Sequence, residues 1–139
     1  MLVIYCDGAM LSHRQEKPCF AAFVALDGDE PVAEWSNRIL ADDVTAAELR
    51  AVLEALRWAA RNGLSRVKVV TDSQAAAYAV FGGCRKYEKY RSVLEQIRAL
   101  LRRLRAALEW APREMNRLAD RLCRRAAREY QRKFPVMAG

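Results

Sequence analysis

Four carboxylates stand where a folded chain could gather them: Asp7, Glu48, Asp72 and Asp120. Asp7 closes the apolar run that starts at Leu2, and Asp72 follows the β-branched run Arg66–Thr71. If those two runs are neighbouring strands, their terminal acids meet at the same end of a sheet. Glu48 lies one position before the apolar stripe of a helical segment, so it flanks the core face and reaches the sheet edge. Asp120 lies near the start of the last helical segment, beside its stripe. Acids gathered in this way repel one another unless cations neutralise them. An all-oxygen donor set suits hard divalent ions such as Mg2+ or Mn2+. A pair of such ions can activate a water and stabilise the leaving oxygen of a phosphodiester.

Each acid also has a plainer use. Thr45-Ala46-Ala47-Glu48 reads as a capping box. Asp72 before Ser73 could cap the next helix, Asp7-Gly8 could form a turn, and Asp120 could be a surface acid among arginines. A shared site accounts for all four at once, where the plainer uses require four coincidences.

The elements that must position these residues follow from periodicity. Leu2–Asp7 reads as a strand with Val3, Tyr5 and Asp7 on one face, broken by Gly8. Cys19–Leu26 is a second apolar run. The turn signal Asp27-Gly28-Asp29 then leads into a third strand from Pro31 to about Leu40, which makes an antiparallel meander. Thr45–Asn62 is the clearest helix, with Leu49, Val52, Leu53, Leu56 and Ala60 on one stripe. The strand Arg66–Thr71 is followed by a short helix ending at Gly82-Gly83, a helix over Arg91–Arg105 and a short strand over Leu108–Ala111. A final helix from about Glu114 to Lys133 has Leu118, Leu122, Ala126 and Tyr130 as its stripe. A meander followed by helix-separated strands is an α/β arrangement, a mixed sheet flanked by helices.

The chain has 139 residues and a net charge of +7, unevenly placed. Residues 1–84 balance at −3 and residues 85–139 at +10. Such asymmetry points to an anionic polymer as partner, with solvated arginine-rich helices as the alternative. Cys6, Cys19, Cys84 and Cys123 fit no zinc spacing and read as buried free thiols. His13, the only histidine, reads as an exposed loop residue. No apolar run approaches the roughly 20 residues of a membrane span. The first run lacks a basic lead and a cleavage site, so a cytoplasmic location with no membrane partner is expected.

Four segments carry a family resemblance. Ile4-Tyr5-Cys6-Asp7-Gly8, Ala47-Glu48-Leu49, Val69-Val70-Thr71-Asp72-Ser73-Gln74 and Trp110-Ala111-Pro112-Arg113-Glu114-Met115-Asn116 through Ala119-Asp120 resemble ribonuclease H of type 1 and its reverse-transcriptase-associated relatives. The resemblance implies a ribonuclease H-like fold with a five-stranded mixed sheet of order 3-2-1-4-5. The length points to one domain, over residues 1–133, and the tail at 134–139 has no periodicity and reads as loose. The resemblance also implies endonucleolytic cleavage of the RNA strand of RNA–DNA hybrids by two Mg2+ or Mn2+ ions held by Asp7, Glu48, Asp72 and Asp120. Asn116 matches a frequent family asparagine, or serves as an N-cap.

The sequence also departs from the family pattern. Arg113-Glu114 stands where many relatives carry a histidine. Asp43-Val44-Thr45 replaces a Thr-Asn-Asn that touches the nucleic-acid backbone. Between Gly83 and Arg91 there is no room for a separate basic helix, yet Arg85, Lys86, Lys89 and Arg91, with Arg113 and Asn116, remain candidate nucleic-acid contacts. Tyr87, Tyr90 and Trp110 are candidates for base stacking or for core packing.

Overall fold

A computed structural model describes residues 1–82 and 85–136, Arg85 by its backbone only. The expected helix end at Gly83, the thiol of Cys84, the side chain of Arg85 and the tail residues 137–139 lie outside the described residues.

Five strands form one sheet: β1 (Leu2–Met10), β2 (Cys19–Asp27), β3 (Glu30–Ile39), β4 (Lys68–Thr71) and β5 (Ala107–Trp110). Their spatial order is β3-β2-β1-β4-β5, as the resemblance implied. The three meander strands pair antiparallel, while β1–β4 and β4–β5 are parallel. The helices are α1 (Val44–Arg61), α2 (Gln74–Phe81), α3 (Arg91–Leu104) and α4 (Arg117–Lys133). Short 3-10 turns at Arg85–Tyr90 and Arg113–Met115 precede α3 and α4.

β2 is apolar from Cys19 to Leu26 because both of its faces are covered there. Ala21, Phe23 and Ala25 join Ile4, Cys6, Leu49, Leu56 and Ile97 in the larger core beneath α1 and α3. The alternate residues Phe20, Ala22 and Val24 meet Leu122, Cys123, Ala127 and Tyr130 of α4. This period-two division across a strand places α4 on the face opposite α1.

Three local expectations need correction. Gly8 does not break β1, which continues to Met10. A Cβ on Gly8 would lie 2.5 Å from the Ala47 carbonyl carbon and from the Glu48 nitrogen, so the missing side chain admits α1 rather than ending the strand. Thr45 and Glu48 form no capping box. Asp43 is the N-cap of α1, accepting from the Ala46 N–H at 2.8 Å, which frees Glu48. The buried stripe of α4 is Ala119, Leu122, Cys123, Ala127 and Tyr130, while Leu118 is exposed. Small residues at three of those positions let the helix lie close to the sheet, a packing that hydrophobicity alone does not reveal.

α4 ends at Lys133, and Phe134 is its C-cap. Its N–H donates to the Tyr130 carbonyl at 2.8 Å, and its ring packs on Tyr130 at 5.0 Å between centroids. No helix among the described residues is long and apolar enough to cross a membrane.

Candidate active site

The parallel ladder between β1 and β4 ends at the pair Cys6–Thr71, and the next residue on each strand is an acid, Asp7 and Asp72. Beyond that point the strands part. β4 turns away into α2, whose N-cap is Ser73, its hydroxyl accepting from the Ala76 N–H at 3.0 Å. Asp72 is therefore not spent on capping. Glu48 enters from α1, and its Oε2 accepts the Gly8 N–H at 3.0 Å. The approach of α1 that Gly8 permits thus also anchors the glutamate.

Asp7, Glu48 and Asp72 each offer a carboxylate oxygen, and these oxygens lie within 4.8 Å of one another. Asp7 and Glu48 are buried and Asp72 is half-buried. Asp120 stands outside that group of three. It is half-buried at the first turn of α4, and its Oδ1 accepts from Arg124 Nε at 3.2 Å. Its charge still reaches Asp7.

The electrostatics follow from this crowding. Burial raises the Asp7 carboxyl from its ordinary 3.8, the charges of Asp72 and Asp120 raise it further, and it titrates at about 7. Burial, then Asp7 and Asp72, push Glu48 well above the carboxylate range, although the Gly8 N–H works against the shift. Cys6 and Cys123 feel the same field. Burial first, and then the acids, push both thiols up, so they remain protonated and unreactive. Cys6, Cys19 and Cys123 are buried free thiols, as the cysteine spacing suggested.

Two further residues brace the site. Asn116 is fully buried, and its Nδ2 donates to the Cys6 carbonyl at 2.7 Å, adjacent to Asp7. It occupies the N-cap position of α4 without capping through its side chain. Burial removes it from the set of candidate nucleic-acid contacts, because no ligand can reach it. Trp110 donates its indole N–H to the Asp72 carbonyl at 3.1 Å while its ring stays half exposed. Neither partnership has a local sequence signal. Asn116 and Cys6 are 110 residues apart, and Trp110 and Asp72 are 38 apart.

Among the described residues, none of the remaining basic candidates forms an ion pair with Asp7, Glu48, Asp72 or Asp120. Lys86 is exposed, with its Nζ 5.1 Å from the centroid of the buried Tyr87 ring. Lys89 is exposed but engaged, its Nζ 3.1 Å from Asp43 Oδ2. The same carboxylate oxygen accepts from the Tyr90 hydroxyl at 2.8 Å. Tyr87 and Tyr90 therefore serve packing and bonding rather than open stacking. Arg91 pairs with Glu88 at 3.9 Å and Glu95 at 3.3 Å, and Arg113 is exposed in its 3-10 turn. His13 is exposed in the first hairpin.

A 3-2-1-4-5 mixed sheet with acids on β1 and after β4 where their parallel ladder ends, and a third from α1, defines a ribonuclease H-type protein. The family described as reverse transcriptase-like matches residues 6–126, and the chain belongs to it. Among solved structures, RNase H1 of the archaeon Halobacterium salinarum is 27% identical, with a TM-score of 0.80 over 92% of this chain and 98% of that one. The N-terminal RNase H domain of a Mycobacterium tuberculosis protein is 26% identical, with a TM-score of 0.81 over 95% and 96% of the two chains. LC11-RNase H1, isolated from compost and solved with an RNA/DNA hybrid, shares the fold at 22% identity, with a TM-score of 0.80 over 94% and 99%. No curated protein sequence matches significantly. By family and fold the chain is an enzyme of the ribonuclease H class.

Proposed function

We propose that residues 1–133 form a metal-dependent endoribonuclease that cleaves the RNA strand of RNA–DNA hybrids. Asp7, Glu48 and Asp72 are its principal ligands, and Asp120 is the outermost member of the site. The observation that carries this reading is the convergence of three carboxylate oxygens within 4.8 Å in a buried setting. Without a cation such a set is destabilising, and the raised Asp7 and Glu48 carboxyls register that cost.

The donor chemistry fits Mg2+ or Mn2+, both hard ions that take oxygen ligands. Two bound ions would supply an activated water and charge stabilisation at the leaving oxygen. The chain's own contribution is placement. The Gly8 N–H fixes one oxygen of Glu48, and the Asn116 amide fixes the backbone beside Asp7. The Trp110 indole fixes the backbone of Asp72. Because ligating carboxylates must be deprotonated, affinity for a dication should climb as pH rises through the neutral range where Asp7 titrates. Two of the structures sharing this fold were solved with an RNA/DNA hybrid, which agrees with the substrate proposed here.

One observation favours a second substrate class, another nucleic-acid structure cleaved at the same site. Asp43 stands where the family places a backbone-touching threonine, and it brings a negative charge to that spot. One experiment tests both readings: purified protein with Mg2+ or Mn2+, offered labelled hybrid, duplex RNA, duplex DNA and single strands. Hybrid cleavage abolished by chelator is the expected result. Cleavage of another substrate alone would select the second reading, and no metal-dependent cleavage of any of them would sink both.

A further inference from the structure

α4 presents a line of cations to solvent. At the 3.6 residues per turn of an α-helix, Arg117, Arg121, Arg124, Arg128 and Arg132 fall within about 80° of arc. All five are exposed, and they lie roughly opposite the buried stripe from Ala119 to Tyr130. The line begins beside the acid pocket, where Arg124 holds Asp120. From Arg117 to Arg132 it runs about 22 Å, at 1.5 Å per residue.

An ordinary solvated helix interleaves acids with such residues, and α1 does so: Arg50 and Arg57 share Glu54 at 2.9 and 2.8 Å. α4 does not. Among the described residues no carboxylate lies within 4.0 Å of Arg117, Arg121, Arg128 or Arg132. The sequence instead places arginine four residues from arginine at 117/121, 121/125, 124/128 and 128/132. Like charges at that spacing destabilise a helix by a few tenths of a kcal/mol per pair. Arg117 at the first helical position also opposes the helix dipole. A polyanion laid along this face would reverse the sign of every one of these terms.

We propose that the outward face of α4 is a second nucleic-acid contact surface, which holds the phosphate backbone of a strand running beyond the acid pocket. About 22 Å matches roughly six phosphates of one strand at 3.4 Å each. The contacts are of the sequence-blind, positioning kind. The inference rests on the proposed nuclease function only for the class of partner.

The test replaces Arg117, Arg121, Arg128 and Arg132 together by Gln, leaving Arg124 with Asp120 and Arg125 with Glu34. Fluorescence anisotropy in chelator then follows binding of labelled RNA–DNA hybrids of about 12 and about 30 base pairs across a salt series. The variant should bind the longer hybrid at least tenfold more weakly. Its log K against log salt slope should flatten by roughly 0.9 for each phosphate no longer neutralised, and by clearly less on the shorter hybrid. The matching Arg→Lys quadruple should keep the wild-type slope, which separates loss of charge from loss of fold. An unchanged slope on the longer hybrid overturns the proposal. So does a variant that loses binding only to phosphatidylserine vesicles or to an acidic peptide. Cleavage is scored separately: a wild type that binds through this face but cuts nothing would defeat the nuclease reading and leave the surface standing.

Discussion

Asp43 and Glu48 sit at the same end of α1, five residues apart, and their surroundings pull them in opposite directions. Burial would raise Asp43, but the Ala46 N–H, the Tyr90 hydroxyl and the Lys89 ammonium hold its carboxyl below the ordinary value. Burial also raises Glu48, and there the neighbours are Asp7 and Asp72, so it goes well up, against a single opposing donor from Gly8. Both are carboxylates on one helix. The first completes a structural clasp that ties the basic 3-10 turn to α1, while the second is crowded by like charges and holds a proton more tightly than a free carboxyl does. What separates the pocket acid from the cap is therefore the charge of the partners rather than residue type or helix position.

The sharpest way to break this contrast is to remove an acid from the pocket. Asp7→Asn and Asp72→Asn should each lower hybrid cleavage by a factor of about 100 to 1000 or more, the scale of deleting one preorganised electrostatic group. Asp120→Asn should cost less, because this position lies outside the group of three. Single-turnover rates at saturating metal are the measurement. Near wild-type cleavage by Asp7→Asn would show that the pocket is not the catalytic centre.

The next largest effect is on stability without metal. Asp7 has its folded pKa raised to about 7, so it binds its proton more tightly when folded. The stabilisation from that proton is full below the unfolded value near 4 and is lost as pH rises through about 7. In chelator at pH 8, Asp7→Asn should therefore melt above the wild type. Divalent metal at 100 times its dissociation constant should stabilise the wild type by about 2.7 kcal/mol and the variant by much less. Equal metal shifts in both, with the variant less stable in chelator, would make Asp7 a structural turn residue.

The clasp should behave in the reverse sense. Asp43→Ala removes a cap contributing about 1 kcal/mol, a fall of about 3–5 °C in Tm for a domain of this size. Because the folded pKa of Asp43 is lowered, its contribution is present above the unfolded pKa and disappears as pH falls through the folded one. Wild type and variant should therefore converge in strongly acidic solution, and the metal-induced shift should be the same for both. A variant that kept its Tm but lost its response to metal would erase the distinction between the two acids.

The smallest effect concerns the basic turn. Arg85→Ala with Lys86→Ala, keeping Lys89 because Asp43 already engages it, should flatten the salt dependence of hybrid binding by roughly 0.9 for each phosphate that the pair neutralises. An unchanged slope would place the nucleic acid elsewhere.

The mixed sheet and the converging acids were legible in the sequence because they depend on local runs and on acids at element ends, while the strand order came from the family resemblance that the short motifs carry. The errors came where one position serves two distant segments. Gly8 looked like a strand breaker because its neighbour in space, the peptide between Ala47 and Glu48, is 40 residues away. Thr45 to Glu48 matched a capping box, yet Asp43 takes the cap and Tyr90, 47 residues on, helps to hold it there. Asn116 looked like a surface contact or a cap, and only the point where β1 and β4 part shows why an amide is buried against the Cys6 carbonyl. On α4, Leu118 drew attention away from the small residues that actually face the sheet.

The contact at Gly8 has a mechanical consequence. α1 meets β1 there through peptide backbone on both sides, with no side chain between them. The gap across which Glu48 faces Asp7 is therefore fixed by covalent dimensions that repacking does not alter. Side chains deeper in the core, such as Leu56 or Ile97, can change in volume and cost stability while the spacing of the acids is conserved. Gly8→Ala should instead change that spacing: it would wedge the helix away from the strand, widening the pocket and loosening the core beneath α1. The width of this site is in effect a tolerance set by one hydrogen atom, insulated from the wear that the rest of the fold can absorb.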